Sequence, residues 1–408
     1  METLKNLFGK NLRQYGIMLA LVIIVVFFGV ATNGRILVPN NVWTLIQQNA
    51  YVLILALGML MVIIAGHIDL SVGSVVAFIG GTVGWLMYHG TPWVLAVLAG
   101  LALGLVVGAW QGFWVAYVRI PAFVVTLAGM LLFRGLAQVI AARTMAGFPA
   151  GFNKIAGGSL PNIFGFVPNP LAGLFAPGSP FGQSFDGVTL AIGLLGVAAL
   201  ILSTLRSRHS QVEHGLKPEP AAMMWARLIV LSVAILLVTG ILAMNLIGGN
   251  GGTPIVLVLV GALILVYSFV TTRTTFGRHT YAIGGNRNAA LLSGVKTART
   301  DFLLFVNIGF LASIAAIVTT SRAGAAVAAA GQSYELDAIA ACFIGGAAVT
   351  GGVGKVAGAM VGALIMGTLN MGLSIMNVDA NWQMALKGLV LLLAVTLDLV
   401  SKRRGTIR

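Results

Sequence analysis

Residues 42–65 read VWTLIQQNAYVLILALGMLMVIIA, a stretch without one charged side chain. A helix needs roughly 20 mostly apolar residues to cross about 30 Å of hydrocarbon, and residues 94–115 (VLAVLAGLALGLVVGAWQGFWV) form a second run as long and as bare. The membrane interior holds no water to satisfy free backbone groups, so only helices or closed barrels can span it. Barrel strands are short and alternate apolar with polar residues; these runs do neither, and they specify helices. Working outward, runs of the same kind lie near 16–31, 72–89, 92–117, 122–141, 188–205, 228–247, 254–271, 301–320, 336–350, 356–377 and 383–400. The expected fold class is therefore all-α, a polytopic membrane protein of 10–12 transmembrane helices in a single domain over 1–408. The runs at 66–90 and 336–350 are short enough to be half-helices or bent segments.

Composition agrees. Of 408 residues 58% are apolar and only 8% charged, too few charges to solvate a soluble domain of this size. The net charge of +14 raises the question of nucleic acid, but the cations sit between the apolar runs. With the N-terminus inside and alternating crossings, 18 of the 24 Lys and Arg fall on the inner side, and four (Arg35, Arg143, Lys154, Arg322) on the outer. That is the asymmetry of the positive-inside rule, and it places both termini in the cytoplasm of a multi-pass inner-membrane protein. Nucleic acid is not an expected partner; the lipid bilayer is. Arg134 and Lys387 fall within spans, where they can pair with embedded carboxylates or snorkel to the surface. The first apolar run has a basic leader but no clean small-residue cleavage site at 31–34, so it reads as an uncleaved first helix.

Two stretches interrupt the spans. Residues 143–187, rich in Gly, Pro, Asn and Phe, read as an ordered outer loop, and 206–227 (RSRHSQVEHGLKPEPAAMMWAR) as a cytoplasmic linker. Glycines recur every fourth residue at Gly100, Gly104, Gly108 and Gly112 and at Gly354, Gly358 and Gly362, which lets helix backbones approach closely. A weak internal echo links 68–70 and 78–81 (IDL, FIGG) with 336–338 and 343–346 (LDA, FIGG).

Catalytic chemistry has little to stand on. The five histidines are scattered, there is no HExxH, CxxC or GxSxG pattern, and the one cysteine, Cys342, lies in an apolar stretch, so neither a disulfide nor a thiolate metal site is expected. GGVGKV (351–356) resembles a phosphate loop but lacks the upstream glycine spacing and the Ser or Thr after lysine. Acidic residues within apolar sequence are costly and default to functional hypotheses: Asp69 with His67 and Ser71 in GHIDLSVGS, and Glu335 and Asp337 in SYELDAIAA. They are candidates for the translocation pathway, or for capping the helices that follow them.

The polar segment TFGRHTYAIGGNRNAALLSGVKTART (275–300) reads as a Gly-Gly-Asn turn, a short helix over 287–293 and a stop at Gly294. It lies in the expected cytoplasmic loop 272–300, which holds five of the inner-side cations. Asn288, Ala289, Ala290 and then Gly294 have the spacing of the EAA-x-x-x-G loop of ABC importer permeases, with Asn in place of Glu.

Taken together, GHIDLSVGS (66–74), IPAFVVTLAGMLLFRGLA (120–137), the 275–295 segment, SYELDAIAACFIGG (333–346) and GGVGKVAGAMVGALIMGTLNMGLSIM (351–376) resemble the monosaccharide-type permease subunits of bacterial ABC importers, the ribose, xylose and galactose group. His67, the GGVGKV run and the long 206–227 region are most similar to the xylose-type or multiple-sugar permeases. The resemblance implies an ABC importer permease fold without enzymatic activity of its own, working with an ABC ATP-binding subunit that uses ATP and Mg, a periplasmic sugar-binding protein and a second permease copy. It further implies that Gly285, Asn286, Asn288, Ala289, Ala290, Ser293 and Gly294 couple the membrane helices to the ATPase. Two other readings remain open, a branched-chain amino-acid ABC permease and a secondary transporter driven by protons through Asp69 or Glu335.

Overall fold

The structure, a computed structural model, describes residues 2–170, 173, 184–215, 218, 220–244 and 252–406, with side chains from 16 to 396. Lys217 and Arg408, two of the inner-side cations, lie outside the described residues, as do 171–172 and 174–183 of the outer stretch. Among the described residues the chain forms helices joined by short turns: α1 (Glu2–Ala31), α2 (Pro39–Ile64), α3 (Val72–Tyr88), α4 (Trp93–Ala116), α5 (Ala122–Ile140), α6 (Ala150–Gly157), α7 (Gly187–Glu213), α8 (Ala221–Ala243), α9 (Ile255–Arg273), α10 (Thr275–Gly285), α11 (Arg287–Leu292), α12 (Thr297–Ala323), α13 (Tyr334–Ile344), α14 (Val356–Ile375) and α15 (Ala380–Thr406). Eight of these are long and apolar enough to cross a membrane, and three shorter apolar helices (Gly16–Ala31, Val72–Tyr88, Ala380–Thr396) join them. This is an all-α polytopic membrane protein.

Two compact units are present. The first comprises Met1–Asn33, Leu45–Gly158 and Val256–Arg408, the second Gly34–Thr44 and Ser159–Ile255. At the centre of the first runs α2, whose residues from Ala50 to Ala65 are almost wholly buried. That burial inside protein sets α2 apart from α8 and α9, which are as apolar but turn most of their surface outward, where a membrane helix meets lipid.

The glycine repeats do what their spacing predicts. A Cβ at Gly104 would lie 2.5 Å from Ser313 Cβ and 2.6 Å from the Gly309 carbonyl, and one at Gly108 2.4 Å from the Phe305 carbonyl, so α4 and α12 touch backbone to backbone. Gly358 and Gly362 press likewise on the Gly345 and Ala341 carbonyls of the α13 segment. Lipid is as apolar as leucine, so close packing of this kind, not burial from water, drives helices together in a membrane.

Between α12 and α13 the chain forms a two-residue strand and then a run of turns over 328–333. Ala325–Ala326 pairs antiparallel with Met145–Ala146, and Arg134 of α5 donates to the carbonyls of Ala328, Ala330 and Gly331 at 3.3, 2.7 and 3.2 Å. Non-helical turns inside a bundle leave carbonyls with no helical partner; Arg134 supplies one. α13 starts beyond it and is only 11 residues long, the half-helix expected at 336–350. The 17-residue α3, by contrast, is a nearly full helix. On the outer stretch α6 packs on the end of α12, where Ser321 Oγ donates to the Phe152 carbonyl at 2.7 Å.

In the second unit α7 and α8 form a hairpin, with Gly193 closely apposed to Thr239, and Asp186 caps α7 by accepting from the Thr189 amide at 2.7 Å. The expected linker over 206–227 is shorter than its polarity suggests, because α7 runs on to Glu213 and α8 begins at Ala221. Arg, Gln and Glu are good helix formers and carry the spans past the apolar boundary.

Candidate functional site: a paired short-helix element and the loop beneath it

The segment 275–300 is more ordered than its sequence suggests. Where a Gly-Gly-Asn turn was expected, α10 runs unbroken through Gly285; the chain breaks only at Asn286, whose extended backbone starts α11 and whose side chain accepts from the Ala289 amide at 2.9 Å. Such an Asn cap is worth about 1 kcal/mol. Gly294, with φ +83°, then ends the element as expected, in a conformation that costs glycine little.

Two small residues seat this element on the bundle. A Cβ at Gly284 would fall 1.6 Å from the Ile64 carbonyl at the end of α2, and the Gly352 amide donates to that same carbonyl at 2.8 Å. The GGVGKV run is thus a tight turn, with φ +80° and +75° at Gly351 and Gly352, wedged against the ends of α2 and α10. Tyr281 donates to the Gly354 carbonyl at 2.6 Å, and burial raises its hydroxyl above the usual phenol range, keeping it a donor.

Of the coupling residues named from sequence, Gly285, Asn286, Asn288, Ala289, Ser293 and Gly294 are exposed, while Ala290 is buried at 5% and faces the permease itself. The prominent apolar side chains are two that the small-residue pattern passed over: Leu291 is 59% and Leu292 89% exposed.

Beneath α11 lies the 66–71 loop. Asp301, wholly buried near the start of α12, receives a charge-assisted hydrogen bond from Arg287 of α11, and His67 Nε2 lies 3.3 Å from its other oxygen. A cleft of about 600 Å³ opens beside them, lined by His67, Ile120, Arg287, Asn288 and Leu291 among others. Further along the loop, Asp69 Oδ1 accepts from both the amide and the hydroxyl of Ser71, at 2.8 and 2.6 Å, and Gln111 of α4 donates to Ser71 Oγ at 2.6 Å. Asp69 therefore holds Ser71, the residue at the N-cap of α3, rather than capping the helix amides itself.

Asp337 lies apart from this cluster, whereas Glu335 Oε2 reaches the first turn of α3, where a Cβ on Gly73 would meet it at 2.3 Å. Asp337 does not precede its helix; it is inside the first turn of α13 and pairs with Lys387 of α15 at 3.1 Å and with the Tyr51 hydroxyl of α2 at 2.5 Å. The echo between 68–70 and 336–338 accordingly covers unlike local structures, a loop in one case and a helix in the other. Glu335 Oε2 has no hydrogen-bond partner among the described residues. No group of three His, Cys, Asp or Glu able to hold a metal ion occurs among the described residues, and Cys342 is a buried thiol donating to the Ala56 carbonyl at 3.4 Å.

Residues 41–395 match the family described as branched-chain amino acid transport system / permease component. The chain belongs to this permease family. Among its relatives the Xylose transport system permease protein XylH of Escherichia coli is 40% identical over 97% of this chain and 94% of its own length. XylH of Haemophilus influenzae is 36% identical over 97% and 98%, and the Ribose import permease protein RbsC of Bacillus subtilis 31% identical over 96% and 94%. No solved structure matches the chain.

Proposed function

We propose that this permease is the membrane-spanning subunit of an ATP-driven importer for a monosaccharide, xylose or a related sugar, which a periplasmic binding protein delivers. The observation that carries the reading is the near full-length likeness to xylose and ribose permeases. It favours sugar over the branched-chain amino acids in the family description. A neutral sugar needs a polar path with little fixed charge, in keeping with a chain of 8% charged residues whose membrane carboxylates Asp69 and Asp337 are held by protein partners.

ATP and Mg belong to a separate ATP-binding subunit, which docks on α11 through Leu291, Leu292 and the exposed Asn288. Two permease copies complete the channel. The charge asymmetry orients α10, α11 and both termini toward the cytoplasm. Hydrolysis then moves α11, and the helices reopen on the inner side.

Uptake in whole cells separates this from a proton-driven carrier. Sugar accumulation that survives an uncoupler while ATP is maintained, and stops when ATP is depleted, supports it. Accumulation that collapses with the uncoupler at constant ATP makes Glu335, the embedded carboxylate with an unpartnered oxygen, the leading coupling group instead.

A further inference from the structure

We infer that Asp301 is the joint through which α11 moves the 66–71 loop, so that the coupling helix and the entry to α3 travel as one body. This rests on the function proposed above and names the route its force takes.

Arg287 and His67 belong to different elements, and the structure records no bond between them, yet Arg287 donates to one oxygen of the Asp301 carboxylate while His67 Nε2 lies 3.3 Å from the other, a close polar contact without hydrogen-bond alignment. That carboxylate is fully buried, whereas the Arg287 side chain is 47% exposed on the helix that faces the partner. A buried carboxylate deprived of a cation is strongly destabilising, so a displacement of Arg287 draws Asp301 with it instead of breaking the pair. The next link is short. His67 lies two residues before Asp69, which holds the first turn of α3 through Ser71, and Ser71 is held in turn by Gln111 of α4. The Ile68 carbonyl in between accepts from Thr126 Oγ1 of α5 at 3.4 Å. One carboxylate thus stands between the docking helix and a loop that touches α3, α4 and α5. The backbone contact of Gly284 with the Ile64 carbonyl is a separate attachment, to α2, and carries no charge. A single Asp among the five cations of 272–300 and its flank is the trace of this joint in the sequence.

The test uses the complete importer in proteoliposomes and reads the number of sugars moved per ATP hydrolysed in wild type, Arg287→Met, His67→Leu and the double variant. Copurification of the ATP-binding subunit checks that docking persists. Each single change is expected to lower the ratio about tenfold, within the range typical of coupling between sites. The double variant is expected to be no worse than either, because both cut the same link. His67→Gln, whose side-chain amide can donate to the same Asp301 oxygen, should keep most of the ratio. Singles that leave the ratio unchanged, or a double whose loss is the product of the two, would overturn the joint while leaving the importer reading intact. A wild-type complex that moves sugar without hydrolysing ATP would instead sink the importer reading.

Discussion

At the scale of single residues, the membrane charges are held by partners distant in sequence. Lys387 and Asp337 are 50 residues apart, and Lys387 is 15% exposed. Removing one member of such a pair leaves an uncompensated charge, worth about 3–5 kcal/mol, whereas removing both leaves only the buried Tyr51 hydroxyl without its acceptor, worth about 1–3 kcal/mol. Lys387→Met is therefore expected to lower the thermal midpoint of the detergent-purified protein sharply, and Lys387→Met with Asp337→Leu to recover much of it. A double variant as unstable as the single would show that the pair is not what matters at this position. The sequence exposed both residues as costly within spans. It could not pair them, because their contact depends on α13 and α15 packing together. Asp301 was hidden for the opposite reason: it sits where a span begins, and a carboxylate there looks like ordinary solvated boundary.

Among the elements, the long spans were legible because each is an uninterrupted apolar run, and the close packing of α4, though not its partner α12, because the glycine period matches the helix period. α10 was not legible. TFGRHTYAIGG carries no apolar period, and its two terminal glycines resemble a turn; the helix is held by packing against the end of α2 instead of by propensity. The docking face shows a similar bias. Attention to the small residues Ala289 and Ala290 obscured the adjoining Leu291 and Leu292, whose signal was a pair of large apolar side chains on a helix too short to own a core. Leu292→Asp should reduce copurification of the ATP-binding subunit at least tenfold, the usual cost of removing a central interface anchor. Because the side chain is 89% exposed, the yield and monodispersity of the permease alone should be unchanged. Retained copurification would place the docking surface elsewhere.

For the whole molecule, the charge asymmetry predicts a sidedness that cysteine labelling can read. The only native cysteine, Cys342, is fully buried, so background is low. Lys154→Cys should react with a membrane-impermeant maleimide in intact cells, and Asn288→Cys only after permeabilisation. The reverse pattern would invert the topology and move α11 away from any cytoplasmic partner.

The central claim is that this chain passes a monosaccharide through the membrane at the expense of ATP hydrolysed by its partner. Its most direct measurement is uptake of labelled xylose by proteoliposomes containing the permease and its ATP-binding subunit, with the binding protein outside and ATP inside. Accumulation that requires all three components, and ceases when ATP is replaced by a non-hydrolysable analogue, is the expected result. Xylose entry by the permease alone, or accumulation driven by a pH gradient without ATP, would contradict it.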